Sequence, residues 1–227
     1  MIILSFSGID GAGKTTQISS LENWLSGMGL RHVTLTFWDN VVAFSRFRET
    51  VSCKVFKGDK GVGSPENPLN RRDKNVASWP VSLARLCFYF ADAISLKRTV
   101  AKLKLGNADV VIFDRYIYDE LANLPLGSAA GRTLVRWLLK MAPEPDIAFI
   151  LDADPAAARA RKPEYPLEFV RKNREAYLAM ARLAGAITIV GPASIEQAES
   201  QIKEKLLELM SASELQESAL RVANFTN

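Results

Sequence analysis

Short apolar runs alternate with amphipathic segments along the chain. The runs at 2–6, 110–113 and 147–151 are almost entirely apolar, and those at 33–37 and 186–190 are rich in β-branched residues. Strands that are buried on both faces of a parallel sheet have this composition. The segments between them place apolar residues at helical spacing. The pattern therefore predicts an α/β fold in three layers, with a parallel β-sheet flanked by helices.

Several of the predicted helices have sequence signals at their ends. The segment 15–26 stops at two glycines, and the long segment 82–105 stops at another. Asp154 precedes a proline, which is typical of an N-cap followed by the first helical position. Ser194 begins a capping box that opens the last helix. Residues 1–210 are accordingly predicted to form a single domain.

Two segments depart from this alternation. Residues 54–75 combine glycines and prolines with lysines and arginines, which predicts a long loop. A basic loop is either a solvated insertion or a clamp for a phosphorylated substrate. The tail at 211–227 is predicted to be weakly ordered.

Composition and charge narrow the class of protein. The 227 residues are 48% hydrophobic and 24% charged, which is typical of a globular domain, and the net charge is +4. Binding of phosphorylated small molecules is sufficient to explain this positive net charge, so we expect no nucleic-acid partner. The sequence shows no signal peptide and no apolar run long enough to span a membrane, so we expect a cytoplasmic protein with no membrane partner. Its two isolated cysteines are expected to be reduced thiols.

The segment 8–15 fits the phosphate-loop pattern G-x-x-x-x-G-K-[ST], between a predicted strand and a predicted helix. Backbone N–H groups of such a turn, together with a helix N-terminus, form an anion site. Lys14 would bring its charge to the β- and γ-phosphate oxygens, and the Thr15 hydroxyl would bind Mg²⁺. We therefore predict a nucleoside triphosphate held by residues of this loop, namely Gly8, Asp10, Gly11, Ala12, Gly13, Lys14, Thr15 and Thr16.

Polar residues also follow the other predicted strands, where ligands of open α/β sheets bind. Asp114 is placed to hold Mg²⁺ directly or through water, and Arg115 is placed to neutralise a phosphate. Trp38 and Asp39 follow strand two in the same way. These positions are candidates for substrate and metal binding.

A basic cluster follows the Asp154 helix start, and we interpret residues 156–166 as a lid. Arg159 and Arg161 lie in this segment. Phosphoryl transfer spreads negative charge over the transferred group, and arginines that close over it stabilise that charge. The alternative is an ordinary solvated helix face.

Taken together, these motifs resemble those of thymidylate kinases. The similarity is carried by the segment 6–17, by Asp-Arg-Tyr at 114–116, by Leu-Asp before the basic lid, and by Arg-Glu-Ala-Tyr at 174–177. It implies a P-loop nucleoside monophosphate kinase fold, a homodimer, ATP with Mg²⁺ as cofactors, and a small-molecule nucleotide substrate. The implied reaction moves the γ-phosphoryl group to a nucleoside monophosphate, and dTMP is the expected acceptor.

The resemblance also implies roles for individual residues. Asp10 matches the loop carboxylate that touches the acceptor's 3′-hydroxyl, and Arg115 matches the arginine that binds its phosphate. Gly11 stands where some members carry an arginine, so the chain resembles the type that keeps its catalytic arginines in the lid, here Arg159 and Arg161. The expected catalytic set is completed by Lys14.

Departures from the family concentrate on the acceptor side. Residues 37–41 replace the family's Arg-Glu-Pro-Gly-Gly, Ala93 replaces an arginine that reads thymine, and Asp119 replaces a serine. Tyr89 is either a base contact or part of the helix core. The candidate substrate residues are Trp38, Asp39, Arg85, Tyr89, Asp114, Arg115 and Asp119.

These departures leave two alternatives open. A kinase of the same fold could phosphorylate a hydroxyl of a nucleoside or another small metabolite, with Asp39 as the general base. A nucleotide-binding protein with a regulatory role and little turnover is the other.

Overall fold

The computed structural model describes residues 1–42 and 79–225, with side chains at 1–42 and 86–212. Five parallel strands form one sheet in the order β2-β3-β1-β4-β5. The strands are β1 (Ile2–Ser7), β2 (His32–Thr36), β3 (Val110–Asp114), β4 (Ile147–Leu151) and β5 (Ile187–Val190). The parallel α/β fold predicted from the apolar runs is confirmed.

Helices connect the strands and cover the sheet. They are α1 (Lys14–Gly27), α2 (Phe37–Asn40), α3 (Trp79–Lys104), α4 (Ile117–Leu121), α5 (Ala129–Met141), α6 (Pro155–Arg161), α7 (Leu167–Ala184) and α8 (Ile195–Phe225). Among the described segments, no helix is long and apolar enough to cross a membrane.

The core lies on both faces of the sheet, as the alternation of β3 shows. Val111 and Phe113 pack in one cluster with side chains of α3 and α5. Val110 and Ile112 point to the other face and pack in a second cluster with α1 and α8. Because successive side chains of a strand point to opposite faces, one apolar strand supplies both cores. The three layers predicted from the sequence follow from this packing.

The predicted helix starts are present. The Asp154 side chain accepts a hydrogen bond from the Ala157 backbone N–H at 2.8 Å. Ser194 and Gln197 form the reciprocal bonds of a capping box at 3.2 and 3.1 Å. Both caps satisfy backbone donors that the first helical turn leaves unpaired.

The predicted end of strand two is wrong. Phe37 is not the end of strand two but the first residue of α2, fully buried against the core. The Thr36 backbone N–H donates to the Asn40 side-chain oxygen at 2.8 Å, which turns the chain into a helix one residue early. The β-branched and aromatic residues of this segment predict a strand, but such a pattern carries no information about a local side-chain hydrogen bond.

Two predictions fall wholly or partly outside the described residues. The loop at 54–75 is one of them. The last helix continues through Phe225, and the side chains beyond residue 212 are outside the described part. The prediction for the tail at 211–227 therefore stays a prediction. The segment 156–166 is described, and its function as a lid also stays a prediction.

The register of the parallel strands brings the candidate residues to one edge. Phe6 pairs with Asp114 across β1 and β3, and Ser7 pairs with Ile150 across β1 and β4. The phosphate loop (residues 8–15), Arg115 and the lid therefore leave the sheet side by side. This is the carboxyl edge, where open α/β sheets bind ligands.

Candidate functional site

The phosphate loop is packed tightly under its neighbours. Gly8 and Gly11 have φ angles of 136° and 81°, in a region that favours glycine. A Cβ atom on Gly8 would lie 2.5 Å from the Leu151 carbonyl oxygen, and one on Gly11 would lie 2.2 Å from that of Ala158. The loop thus requires glycine at both positions, because β4 and the lid helix α6 touch its backbone.

The N-terminus of α1 is shaped for an anion. Gly13 is its N-cap, in a left-handed conformation, and no side chain of the described residues caps the first turn. The N–H groups of that turn remain available, and the helix dipole adds partial positive charge. Thr15 and Thr16 are exposed on the same turn. A triphosphate fits these donors.

Lys14 lies beneath the loop and is almost fully buried. Its Nζ atom donates to the carbonyl oxygens of Gly8 at 2.8 Å and Ile9 at 2.9 Å. Burial and the charge of Arg115 lower the pKa of Lys14 to about 8, although nearby carboxylates partly oppose the shift. Two of the three N–H donors are used, so one is left for a phosphate oxygen.

An ion pair joins the phosphate loop to the end of β3. Arg115 Nη2 donates to Asp10 Oδ1 at 2.5 Å, although 105 positions separate the two residues. Burial would raise the pKa of Asp10, but Arg115, Lys14 and Lys162 lower it overall. Asp10 is therefore a carboxylate at neutral pH and acts only as an acceptor of hydrogen bonds.

Arg115 has an unusual backbone. Its φ is 68°, the only positive value on a non-glycine residue in the described part of the chain. Its backbone N–H donates to the Phe6 carbonyl oxygen at 2.9 Å, which ties it to β1. Non-glycine residues in this conformation are uncommon and cluster at functional sites.

Asp119 lies behind Arg115 and is buried. Its Oδ1 accepts from Arg115 Nη1 at 3.1 Å and from the Tyr177 hydroxyl at 2.6 Å. Its Oδ2 accepts from the Ser7 hydroxyl at 2.6 Å and from the Tyr116 backbone N–H at 3.0 Å. The predicted contact of Asp119 with a substrate stays a prediction, and its observed partners are protein groups.

Helix α6, which begins the predicted lid, and the residue after it direct their basic side chains differently. Arg161 Nε donates to the Gly11 carbonyl oxygen at 2.8 Å, so this side chain reaches the phosphate loop. Arg159 Nε donates to the Tyr165 carbonyl oxygen at 3.0 Å, within the lid. Lys162 Nζ lies 3.8 Å from Asp10 Oδ1. The structure thus brings Arg161 and Lys162 to the loop and directs Arg159 along the lid.

Arg174 anchors the next helix. Its Nε and Nη2 atoms donate to the two carboxylate oxygens of Asp152 at 2.6 and 2.7 Å. This bidentate pair fixes α7 to the end of β4.

The predicted metal ligands are oxygen donors of the kind Mg²⁺ prefers. Thr15 is exposed at the start of α1, and Asp114 is half-buried at the end of β3. No group of three or more acidic, histidine or cysteine side chains that could hold a metal occurs among the described residues. Binding of Mg²⁺ by Thr15 and Asp114 stays a prediction.

The remaining acceptor-side candidates lie on two helices, α2 and α3. Trp38 and Asp39 are exposed on α2, whereas Tyr89 on α3 is buried in the core cluster. Ala93 is fully buried on the same helix. The Arg85 side chain lies outside the described residues. Contacts of these residues with a substrate stay predictions.

The predicted site residues do not include three side chains that the structure places around the site. Ser7 and Tyr177 hold Asp119, and Lys162 approaches Asp10. Ser7 and Tyr177 both lie in motifs that carry the resemblance. No spacing rule, however, links Tyr177 to a carboxylate 58 positions away, because that contact depends on how α7 packs.

Comparisons with known proteins agree with the motifs. The sequence model of the family described as Thymidylate kinase matches residues 75–202. A thymidylate kinase of Leifsonia xyli is 31% identical over 79% of this chain and 81% of its own. One of Prochlorococcus marinus strain MIT 9312 is 28% identical over 88% and 92%.

Solved structures agree in fold. The thymidylate kinase of Candida albicans superposes with a TM-score of 0.61 at 21% identity, covering 92% of both chains. That of Ehrlichia chaffeensis gives a TM-score of 0.56 at 22% identity, covering 90% of this chain and 98% of its own. At these identities the match shows the fold.

Proposed function

Because the chain belongs to the thymidylate kinase family, we propose that it transfers the γ-phosphoryl group of ATP to dTMP, giving dTDP and ADP. The chain is a nucleotide kinase, and its substrates are small nucleotides. The observation that carries the proposal is the Arg115–Asp10 ion pair beside the buried Lys14. In this pair the cation of Arg115 lies beside a carboxylate of the phosphate loop, at the edge where an acceptor has to meet the donor.

The donor side follows from the loop. Its N–H groups and Lys14 would hold the β- and γ-phosphates of ATP, and Lys14 gains most as charge builds in the transition state. Thr15 and Asp114 would hold Mg²⁺, which supplies charge neutralisation on the phosphates.

The acceptor side follows from the ion pair. Arg115 would bind the 5′-phosphate of the acceptor, and the Asp10 carboxylate would accept a hydrogen bond from a sugar hydroxyl. A phosphate acceptor is already ionised, so the reaction needs no general base. Catalysis then depends on positioning and on charge balance.

The lid would balance charge on the transferred group. Arg161 already reaches the loop at Gly11, and Arg159 would reach the phosphates after a turn away from Tyr165. We further propose that two copies of the chain form a homodimer, which sedimentation of the purified protein tests.

The experiment is an ADP-release assay with ATP, Mg²⁺ and a panel of acceptors. We expect the highest kcat/KM with dTMP, lower values with other nucleoside monophosphates, and background rates with thymidine. Lys14→Ala should lower kcat strongly. Asp109→Asn, at the amino end of β3 in an exposed ion pair with Arg31, is the matched control and should leave the kinetics unchanged.

Two other outcomes of this assay would support the alternative functions. Turnover of thymidine above that of dTMP, lost in Asp39→Asn, would mean a hydroxyl acceptor. ATP binding with no turnover on any acceptor would mean a non-catalytic nucleotide-binding protein.

A further inference from the structure

We infer that Asp119 is a positioning residue, which fixes the guanidinium group of Arg115 for the acceptor phosphate and does not contact the acceptor itself. The inference rests on the proposed function for the identity of that acceptor. It is carried by the hydrogen bonds that surround the Asp119 carboxylate.

The first argument is that the Asp119 carboxylate is saturated. A carboxylate offers about four lone-pair positions. Arg115 and Tyr177 donate to one oxygen, and Ser7 and the Tyr116 backbone donate to the other. Its side chain is 5% exposed. A ligand would have to displace a protein donor to reach it.

The second argument is the geometry at Arg115. Asp119 accepts from Nη1, and Asp10 accepts from Nη2. The two carboxylates therefore hold both terminal nitrogens of one planar group, an arrangement we call the Arg115 clamp. A guanidinium has five N–H donors, so about three remain for an anion. Since the side chain is 25% exposed, these donors are accessible while the plane is fixed.

The third argument is that Asp119 is itself anchored by β1, by α7 and by the N-cap residue of its own helix α4. Ser7 ends β1, Tyr116 caps α4 and Tyr177 lies in the middle of α7. Burial and the neighbouring Asp119 raise the pKa of Tyr177, so its hydroxyl keeps its proton and donates. A group held this rigidly can orient a neighbour, because supporting hydrogen bonds limit the freedom of a binding side chain.

A double-mutant cycle separates positioning from direct contact. Asp119→Asn should raise the KM for dTMP about tenfold or more and change the KM for ATP by less than about twofold. In an Arg115→Ala background the same substitution should have no further effect on the KM for dTMP, because the group it positions is gone. Additive effects of the two substitutions would mean that Asp119 contacts the acceptor, and would overturn the inference.

Tyr177→Phe keeps the Ser7 and Tyr116 contacts and removes one donor, so it serves where Asp119→Asn fails to fold. It should raise the KM for dTMP in the same direction and should also lose its effect in the Arg115→Ala background. An equal effect in both backgrounds would contradict positioning through Arg115. Asp109→Asn is the control carboxylate and should change neither KM.

A measurement without substrate keeps the inference separate from the proposed function. Side-chain NMR of Arg115, assigned with Arg115→Lys, should give distinct terminal N–H signals in the wild type, because the clamp hinders rotation. Asp119→Asn and Tyr177→Phe should merge those signals. Unchanged signals would overturn the inference. Absence of dTMP turnover in the wild type would instead refute the proposed function, and the NMR result would still decide on the clamp.

Discussion

Arg115 is maintained in a backbone conformation that costs free energy. A non-glycine residue in the left-handed region is disfavoured by about 1–2 kcal/mol. Its backbone bond to Phe6 and its side-chain bonds to Asp10 and Asp119 hold it there. The consequence is a guanidinium directed at the phosphate loop. The same two carboxylates also favour its charged form and raise the pKa of Arg115 overall, although burial acts in the opposite direction.

The pKa of Lys14 predicts a pH dependence. Because burial and Arg115 lower this pKa to about 8, the side chain loses its proton and its charge as the pH rises through that value. At saturating acceptor, the kcat/KM for ATP reports ionisations of the enzyme form that has no ATP bound. We therefore expect kcat/KM for ATP to fall above about pH 8, as measured by initial rates at saturating acceptor.

Lys14→Arg is the control for this assignment. Arginine stays charged throughout the accessible range, so whatever activity the variant retains should lack that basic limb. A limb at the same pH in Lys14→Arg would assign the ionisation to another group.

At the element scale, helix α6 packs so closely against the phosphate loop that no side chain fits between them at Gly11. The Ala158 carbonyl oxygen occupies the space that a Cβ on Gly11 would need, and Arg161 bonds to the Gly11 carbonyl oxygen from the same helix. This arrangement explains in physical terms why the chain has glycine at a position where an arginine would collide with the lid.

Gly11→Ala should therefore displace the lid. The new methyl group meets backbone at 2.2 Å, and the φ of 81° adds strain. Gly185→Ala is the matched control, with a φ of 77° and no atom of the described residues within 4 Å of its Cβ. We expect the control to lose about 1 kcal/mol of unfolding free energy in urea and Gly11→Ala to lose more. Faster tryptic cleavage in the lid should accompany Gly11→Ala alone, and equal cleavage in both variants would refute the close packing.

The N-cap of α6 gives a second prediction at this scale. Asp154→Ala removes the bond to the Ala157 N–H and should cost about 1 kcal/mol. Ser128→Ala removes the equivalent bond to the Gly131 N–H at the start of α5, away from the lid. At similar losses of stability, only Asp154→Ala should lower kcat in the ADP-release assay. Equal kinetics in the two variants would mean that the N-cap of α6 does not contribute to turnover.

What the sequence predicts well is local. The caps at Asp154 and Ser194 are read from a few neighbouring residues, and the apolar run of β3 marks a strand buried on both sides. Phe37 was misassigned because a single side-chain hydrogen bond outweighed its strand propensity. The contacts of Asp119 with Ser7 and Tyr177 were not predictable, since these partners lie 112 and 58 positions away, on β1 and α7.

At the scale of the whole molecule, the strand order determines what surrounds the phosphate loop. β1 lies between β3 and β4, so the loop emerges between Arg115 on one side and the lid on the other. Apolar runs show how many strands there are but not how they are ordered, which depends on crossovers and packing. The sequence predicts that the candidate residues share the carboxyl edge of the sheet, whereas only the structure shows which of them are neighbours at that edge.

Ligand binding should stabilise the whole fold if this edge holds a nucleotide. A ligand at 100 times its Kd adds about 2.7 kcal/mol, which raises the Tm of a domain of this size by roughly 5–10 °C. We expect a shift of this order with a non-hydrolysable ATP analogue and Mg²⁺, measured by thermal unfolding. Lys14→Ala should reduce the shift, and Asp109→Asn, whose ion pair lies at the opposite end of β3, should retain it. An unchanged Tm in the wild type at millimolar analogue would contradict the donor site, because a bound nucleotide has to shift the unfolding equilibrium.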